Sequence, residues 1–255
     1  MPRSSRVRRQ LPAAIPVRTL VPTILTILAL CSGVTAIRFA FAERWEAAVI
    51  AIMLAALFDL LDGRVARMIK GSTRFGAELD SLSDMICFGV APALVVFLWT
   101  LQDIKGVGWA VALLFCVCCA LRLARFNILD QEASEDGTVQ QFFMGVPAPA
   151  AAGLLILPII LSFQSDLEWM RSPIPCAVFA TILALSMISQ LPTLTLKYVR
   201  IGREYVIPVL LGVGVLVALL TSYFWATMAG AGVLYMLSIP VGSIIQYRRS
   251  KKSDE

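Results

Sequence analysis

Apolar residues in this chain come in long blocks rather than in alternation. Eight such blocks run at about 20–41, 45–61, 77–101, 107–127, 146–163, 173–190, 205–223 and 225–245. Each is close to the ~20 residues that an α-helix needs to cross the hydrocarbon core of a bilayer. Backbone groups inside lipid must be satisfied within their own segment, so each block reads as a helix. The pattern predicts an all-α, polytopic membrane bundle of about eight transmembrane helices. The last two blocks are joined across Ser222-Tyr-Phe-Trp225, which requires a tight hairpin. Around this membrane domain, 19–245, the pattern leaves a basic tail at 1–18 and a charged tail at 246–255. Pro2, Pro12 and Pro16 argue against a regular helix throughout the first tail. The charged start followed by an apolar block reads as a retained first span, because no small-residue cleavage pattern leads into a polar mature domain.

Charge orients the bundle. Threading eight spans from a cytoplasmic N-terminus gathers most of the Lys and Arg on one side. That side takes the five N-terminal arginines, Arg64, Arg67, Lys70, Arg74, Arg122, Arg125, Lys197, Arg200, Arg203, Arg248, Arg249, Lys251 and Lys252. The far side takes Arg38, Arg44, Lys105 and Arg171. The positive-inside rule therefore predicts both termini in the cytoplasm.

Composition agrees with the blocks. Of the 255 residues, 58% are hydrophobic and 15% charged, where a soluble domain is nearer half apolar and a quarter charged. The mean hydropathy is +0.80. The net charge of +5 sits mostly in tails and loops, so it reads as topology and contact with anionic lipid rather than nucleic-acid binding. There is no histidine, which excludes His acid–base chemistry, His metal ligation and Ser-His triads. Cys31, Cys87, Cys116, Cys118, Cys119 and Cys176 lie in apolar stretches and read as small buried hydrophobes, not as a disulfide framework.

Against this background four carboxylates stand out: Asp59, Asp62, Asp80 and Asp84, flanked by Ala47–Phe58 and Met85–Leu101. An ionised aspartate costs about 2.5–3.5 kcal/mol at the centre of a membrane helix on insertion scales, and four together repel one another. Asp59 and Asp62 are i, i+3, and Asp80 and Asp84 are i, i+4, so each pair shares one helix face. Two helices with paired oxygen ligands can clamp one or two hard cations. Carboxylates without His or Cys favour Mg²⁺, Mn²⁺ or Ca²⁺ over zinc. Gly63, Ala66 and Gly76 leave room beside the acids for a bulky ligand, and Arg64 and Arg67 add charge suited to phosphate. The bland alternative is four acids solvated at helix ends.

Asp59-x-x-Asp62-Gly63-x-x-Ala66-Arg67, eight residues, Gly76-x-x-x-Asp80-x-x-x-Asp84 resembles the complete signature of the CDP-alcohol phosphatidyltransferases, with all eight fixed positions present. Glu78 to Pro92, Arg122-Leu-Ala-Arg-Phe-Asn127 and Gly145-Val-Pro-Ala-Pro149 look like the phosphatidylserine synthase branch. The resemblance runs from about 20 to 200. It implies transfer of a phosphatidyl group from CDP-diacylglycerol to L-serine, with Mg²⁺ or Mn²⁺, two ions, as cofactor. It implies that Asp59, Asp62 and Asp80 hold metal, and that Asp84 shares the second metal and acts as general base. Gly63, Ala66, Arg67 and Gly76 would line the nucleotide site. The first helix of such enzymes carries a Thr-Asn pattern beside the nucleotide, and here Ala29 stands where the Asn is sought.

Arg122 and Arg125 are i, i+3 on the fourth block. They read either as arginines snorkelling to headgroups or, with Asn127, as a site for serine or for the transferred phosphate. The loop from Asp130 to Thr138 reads as solvated, and the Ser189–Lys197 loop with Arg200 and Arg203 as a basic surface for anionic lipid. A homodimer in a bacterial or archaeal plasma membrane, with its active site facing the cytoplasm, completes the expectation. Two alternatives stay open: the same chemistry with glycerol 3-phosphate, inositol phosphate or choline as acceptor, and a cation transporter whose acids form an ion path.

Overall fold

A computed structural model describes residues 20–69, 74–136, 145–164, 168–189 and 206–253. The N-terminal tail and the 190–205 loop with its basic residues lie outside the described residues. Every regular element among them is helical and none is a strand. In chain order these are α1 (Leu20–Phe41), α2 (Trp45–Ile69), α3 (Arg74–Asp84), a π-helical turn (Met85–Val90), α4 (Ala91–Trp99), α5 (Lys105–Asp136), α6 (Ala148–Leu155), α7 (Leu157–Ser162), α8 (Pro173–Ile188), α9 (Val206–Ser222) and α10 (Phe224–Ser253). Short 3-10 turns at Leu101–Ile104 and Glu168–Arg171 complete the set.

Three helices among the described residues are long and apolar enough to cross a membrane: Leu20–Phe41, Phe75–Trp99 and Leu101–Leu129. Shorter apolar helices cover Ala148–Ser162, Pro173–Ile188, Pro208–Ser222 and Phe224–Ser238. Large apolar side chains point outward along much of their length, among them Ile24, Ile27, Leu28 and Val34 on α1 and Leu210, Leu211, Val215 and Val217 on α9. Such a surface is far larger than a water-soluble monomer exposes and suits contact with lipid.

The core begins with α1 against α2. α1 buries Ala29, Gly33, Ala36 and Ala40, and α2 answers with Ala48, Ala51, Ile52 and Ala55. Small residues at this spacing let two helix backbones approach closely, the usual packing of membrane helices. Gly33 is pressed furthest, since a Cβ there would stand 2.7 Å from Cys87 Sγ and 3.1 Å from its Cα. The π-helical turn that holds Cys87, Phe88 and Gly89 is therefore wedged on α1, with all three buried. All six cysteines are free thiols.

Four expected boundaries change. α2 does not stop near residue 61 but runs to Ile69, so Asp59 to Arg67 lie on one continuous helix. The third block is one helix from Phe75 to Trp99 with a π-helical turn directly after Asp84, closed by Ala91 N–H on Ile86 O. Pro92 lacks the N–H that an α-helical bond to Phe88 O would need, and the widened turn absorbs this loss. α5 continues through Asp136 instead of ending before Asp130, because no glycine or proline falls between 109 and 136. The fifth block is broken at Ile156, two residues before Pro158, into α6 and α7. The hairpin between the last two blocks is as tight as expected, with Tyr223 alone between α9 and α10.

Candidate active site

α2 and α3 bring the four aspartates together as their spacing required. Asp62 is 4% exposed, while Asp59, Asp80 and Asp84 are half-buried. One carboxylate oxygen from each of Asp59, Asp62 and Asp80 fits within a span of 4.8 Å. Asp84, one turn along α3 from Asp80, lies within hydrogen-bonding reach of Asp59. Three of the acids are thus drawn into one cluster, with Asp62 buried at its base.

α1 supplies the third wall. Thr26 Oγ1 donates to Asp62 Oδ2 at 2.7 Å, and Ser83 Oγ donates to the Thr26 carbonyl at 3.3 Å. Cys87 Sγ donates to Ala29 O at 3.2 Å. Ala29 is 2% exposed, so the position where an asparagine was sought is a packing position whose carbonyl holds the π-helical turn.

One small residue of the motif, Gly63, borders open space. A Cβ on Gly63 would meet nothing within 4 Å. Ala66 and Gly76 are half-buried, and Arg64 and Arg67 are exposed at the end of α2.

α5 supplies the fourth wall. Arg122 is half-buried, its Nε is buried without a hydrogen-bond partner, and its guanidinium acts electrostatically on Asp84 and on Tyr235 of α10. Arg125 is exposed. Asn127 Nδ2 donates to Ser81 Oγ at 2.9 Å, beside Asp80. Sequence reasoning missed Ser81, Ser83 and Tyr235. The two serines had a signal, hydroxyls at the variable positions between motif acids; Tyr235 had none.

The site tests well against a divalent cation. Asp80 Oδ1 is buried with no hydrogen-bond partner, a costly state for a carboxylate oxygen unless a cation completes it. The donor set is all oxygen, contributed by two facing helices, and suits a hard ion such as Mg²⁺ or Mn²⁺.

A sequence profile described as CDP-alcohol phosphatidyltransferase matches residues 19–188, which contain all four walls, and a second, CDP-alcohol phosphatidyltransferase 2, matches 204–240. This chain belongs to the CDP-alcohol phosphatidyltransferase family. It is 36% identical over 225 residues to a CDP-diacylglycerol–serine O-phosphatidyltransferase of Mycobacterium bovis, covering 87% of this chain and 77% of the relative. The enzyme of the same name from Mycobacterium leprae is 39% identical over 186 residues, 73% of this chain and 62% of the relative. The Methanocaldococcus jannaschii enzyme of that name is 44% identical over 105 residues, 41% of this chain and 46% of the relative. Among solved structures, the Mycobacterium tuberculosis phosphatidylinositol phosphate synthase with CDP-DAG bound superposes with a TM-score of 0.46 at 22% identity, over 66% of this chain and 80% of that one. The protein is thus a transferase of phospholipid biosynthesis with membrane helices.

Proposed function

We propose that this phosphatidyltransferase moves the phosphatidyl group of CDP-diacylglycerol onto the hydroxyl of L-serine, giving phosphatidylserine and CMP. The observation that carries the reading is the convergence of Asp59, Asp62 and Asp80 within 4.8 Å, with Asp84 beside them. The names of the relatives that span most of this chain favour serine as acceptor.

Asp59, Asp62 and Asp80 would hold a divalent ion, and Asp84 would share in a second. When bound, such ions neutralise the pyrophosphate and stabilise the leaving phosphate. Gly63, Ala66 and Gly76 give the nucleotide a surface without side chains to displace, and Arg67 faces its phosphates at the exposed end of α2. Arg122 and Asn127 hold the acceptor, with the Arg122 guanidinium on the serine carboxylate, and Arg125, exposed on the same helix, adds only positive charge nearby. Serine's hydroxyl is a weak nucleophile, so Asp84 takes its proton. The serine oxygen then forms its bond to the phosphorus that bears diacylglycerol, the bond from that phosphorus to CMP breaks, and the electron pair leaves on CMP.

The setting follows from the same reading: eight spans, both termini in the cytoplasm, a plasma-membrane homodimer and a cytoplasmic opening for the nucleotide. Acyl chains stay in lipid while the water-soluble head reaches the ends of α2 and α3.

The test is CMP release by purified protein with CDP-diacylglycerol and Mg²⁺ or Mn²⁺, offered serine, glycerol 3-phosphate, inositol phosphate and choline separately. Serine-dependent and metal-dependent release is expected. Release with another acceptor overturns the serine assignment and keeps the chemistry; Arg122 and Arg125 would suit a phosphorylated acceptor, which favours this as the second reading. A cation transporter is disfavoured because Asp59, Asp62, Asp80 and Asp84 form one cluster rather than a path. Metal flux into proteoliposomes without turnover would overturn the enzyme reading.

A further inference from the structure

Thr26 lies outside the eight-position aspartate signature, three residues before Ala29 on the first helix. It is 4% exposed on α1, with Asp62 of α2 equally buried. Its Oγ1 stands 2.7 Å from Asp62 Oδ2 and 3.1 Å from Pro22 O. The hydroxyl has one proton to give. The shorter, charge-assisted contact to the carboxylate takes it, and the contact to the carbonyl four residues back is the weaker competitor. The same residue's carbonyl accepts Ser83 Oγ at 3.3 Å, and Ser83 is 3% exposed, next to Asp84 in α3. One residue of α1 therefore grips α2 through its side chain and α3 through its backbone. One turn further along α1, Cys87 Sγ on Ala29 O repeats the grip. Fixing one oxygen of a carboxylate fixes its plane, so Asp62 presents its other oxygen in one direction.

We infer that Thr26 is a positioning residue for the divalent-cation site, orienting Asp62 and setting the distance between the two aspartate-bearing helices. This rests on the metal reading given under Proposed function. Partners one step behind a metal ligand are worth about 10- to 100-fold in affinity. Thr26→Val keeps the shape of the side chain and removes the donor, so Asp62 Oδ2 is left buried without it. Thr26→Ser keeps the donor. Ser83→Ala cuts the α1–α3 tie and leaves the Thr26–Asp62 bond in place.

The experiment titrates Mn²⁺ into the purified full-length protein and its variants without substrate, following free Mn²⁺ by electron paramagnetic resonance. Thr26→Val is expected to weaken Mn²⁺ binding about tenfold, and Thr26→Ser to stay within about twofold of the parent. Ser83→Ala is expected to fall between them. Should Thr26→Val fail to give a monodisperse protein, Thr26→Ala, which also removes the donor, takes its place in the comparison with Thr26→Ser. Equal Mn²⁺ affinity in all four proteins overturns the inference. Equal loss in Thr26→Val and Thr26→Ser also overturns it, because the hydroxyl would not be the cause. Thr26→Val with unaltered Mn²⁺ affinity and a raised KM for CDP-diacylglycerol would make Thr26 a nucleotide contact instead. A parent protein that binds no Mn²⁺ is a different outcome: it removes the metal reading itself.

Discussion

Asn127 Nδ2 donates to Ser81 Oγ across 2.9 Å, joining α5 to α3 one residue from Asp80. Asn127 is thus tied to the helix that carries Asp80 and Asp84 as well as placed near the proposed acceptor site. The two roles separate by mutation. Ser81→Ala breaks the tie alone, and is expected to lower kcat about tenfold through Asp80 while leaving the KM for serine unchanged. Asn127→Ala removes tie and amide together, and is expected to lower kcat and raise the KM for serine. Steady-state kinetics in mixed micelles reads both. If the two variants behave alike, Asn127 only braces α3.

Asp84 lies against Asp59 and within the field of Arg122. In its proposed role as base it is expected to be dispensable for holding CDP-diacylglycerol and required for turnover. Asp84→Asn keeps the shape and loses the proton acceptor. The expected fall in kcat is at least about 10²- to 10⁴-fold, with equilibrium binding of labelled CDP-diacylglycerol largely intact. A near-normal rate would place the base elsewhere.

Much of this arrangement was legible because helix geometry turns spacing into faces. Asp59 with Asp62, and Asp80 with Asp84, share their faces as i, i+3 and i, i+4 pairs must, and the facing of α2 and α3, which the like charges alone oppose, is expected only if a cation lies between them. What escaped was set by contacts between distant segments. The π-helical turn after Asp84 depends on Pro92 and on the pressure of α1 at Gly33. The break at Ile156 depends on Pro158, which a count of apolar residues passes over. Thr26 is one hydroxyl on an apolar helix, and only its 2.7 Å contact with Asp62, 36 residues away, distinguishes it from a packing residue. Arg122 and Arg125 read as a pair, yet only Arg122 is turned inward.

That difference predicts unequal effects. Arg122 has a buried Nε with no hydrogen-bond partner, so an acceptor carboxylate is expected to complete it. Arg122→Lys keeps the charge and loses the planar fork. It is expected to raise the KM for serine about 10- to 100-fold, the worth of a hydrogen bond to a charged group, with little change in the KM for CDP-diacylglycerol. Arg125→Lys, on the exposed side of the helix, is expected to change the serine KM by less than about threefold, as exposed charge pairs contribute little. Equal effects at both positions would count against the inward assignment.

Two glycines respond oppositely to the same added methyl group. At Gly33 a Cβ meets Cys87 Sγ at 2.7 Å and Cys87 Cα at 3.1 Å, and the backbone atom cannot move aside cheaply. Gly33→Ala is expected to cost about 1–3 kcal/mol by overpacking, seen as a lower thermal midpoint in detergent. Activity falls with it, because α1 also carries Thr26. At Gly63 a Cβ meets nothing within 4 Å, and Ala is the better helix former by up to about 1 kcal/mol. Gly63→Ala is therefore expected to fold at least as well as the parent. The open space is where the nucleotide is proposed to lie, so the same variant is expected to raise the KM for CDP-diacylglycerol while the KM for serine holds. An unchanged KM for CDP-diacylglycerol in a stably folded Gly63→Ala protein would move the nucleotide away from α2.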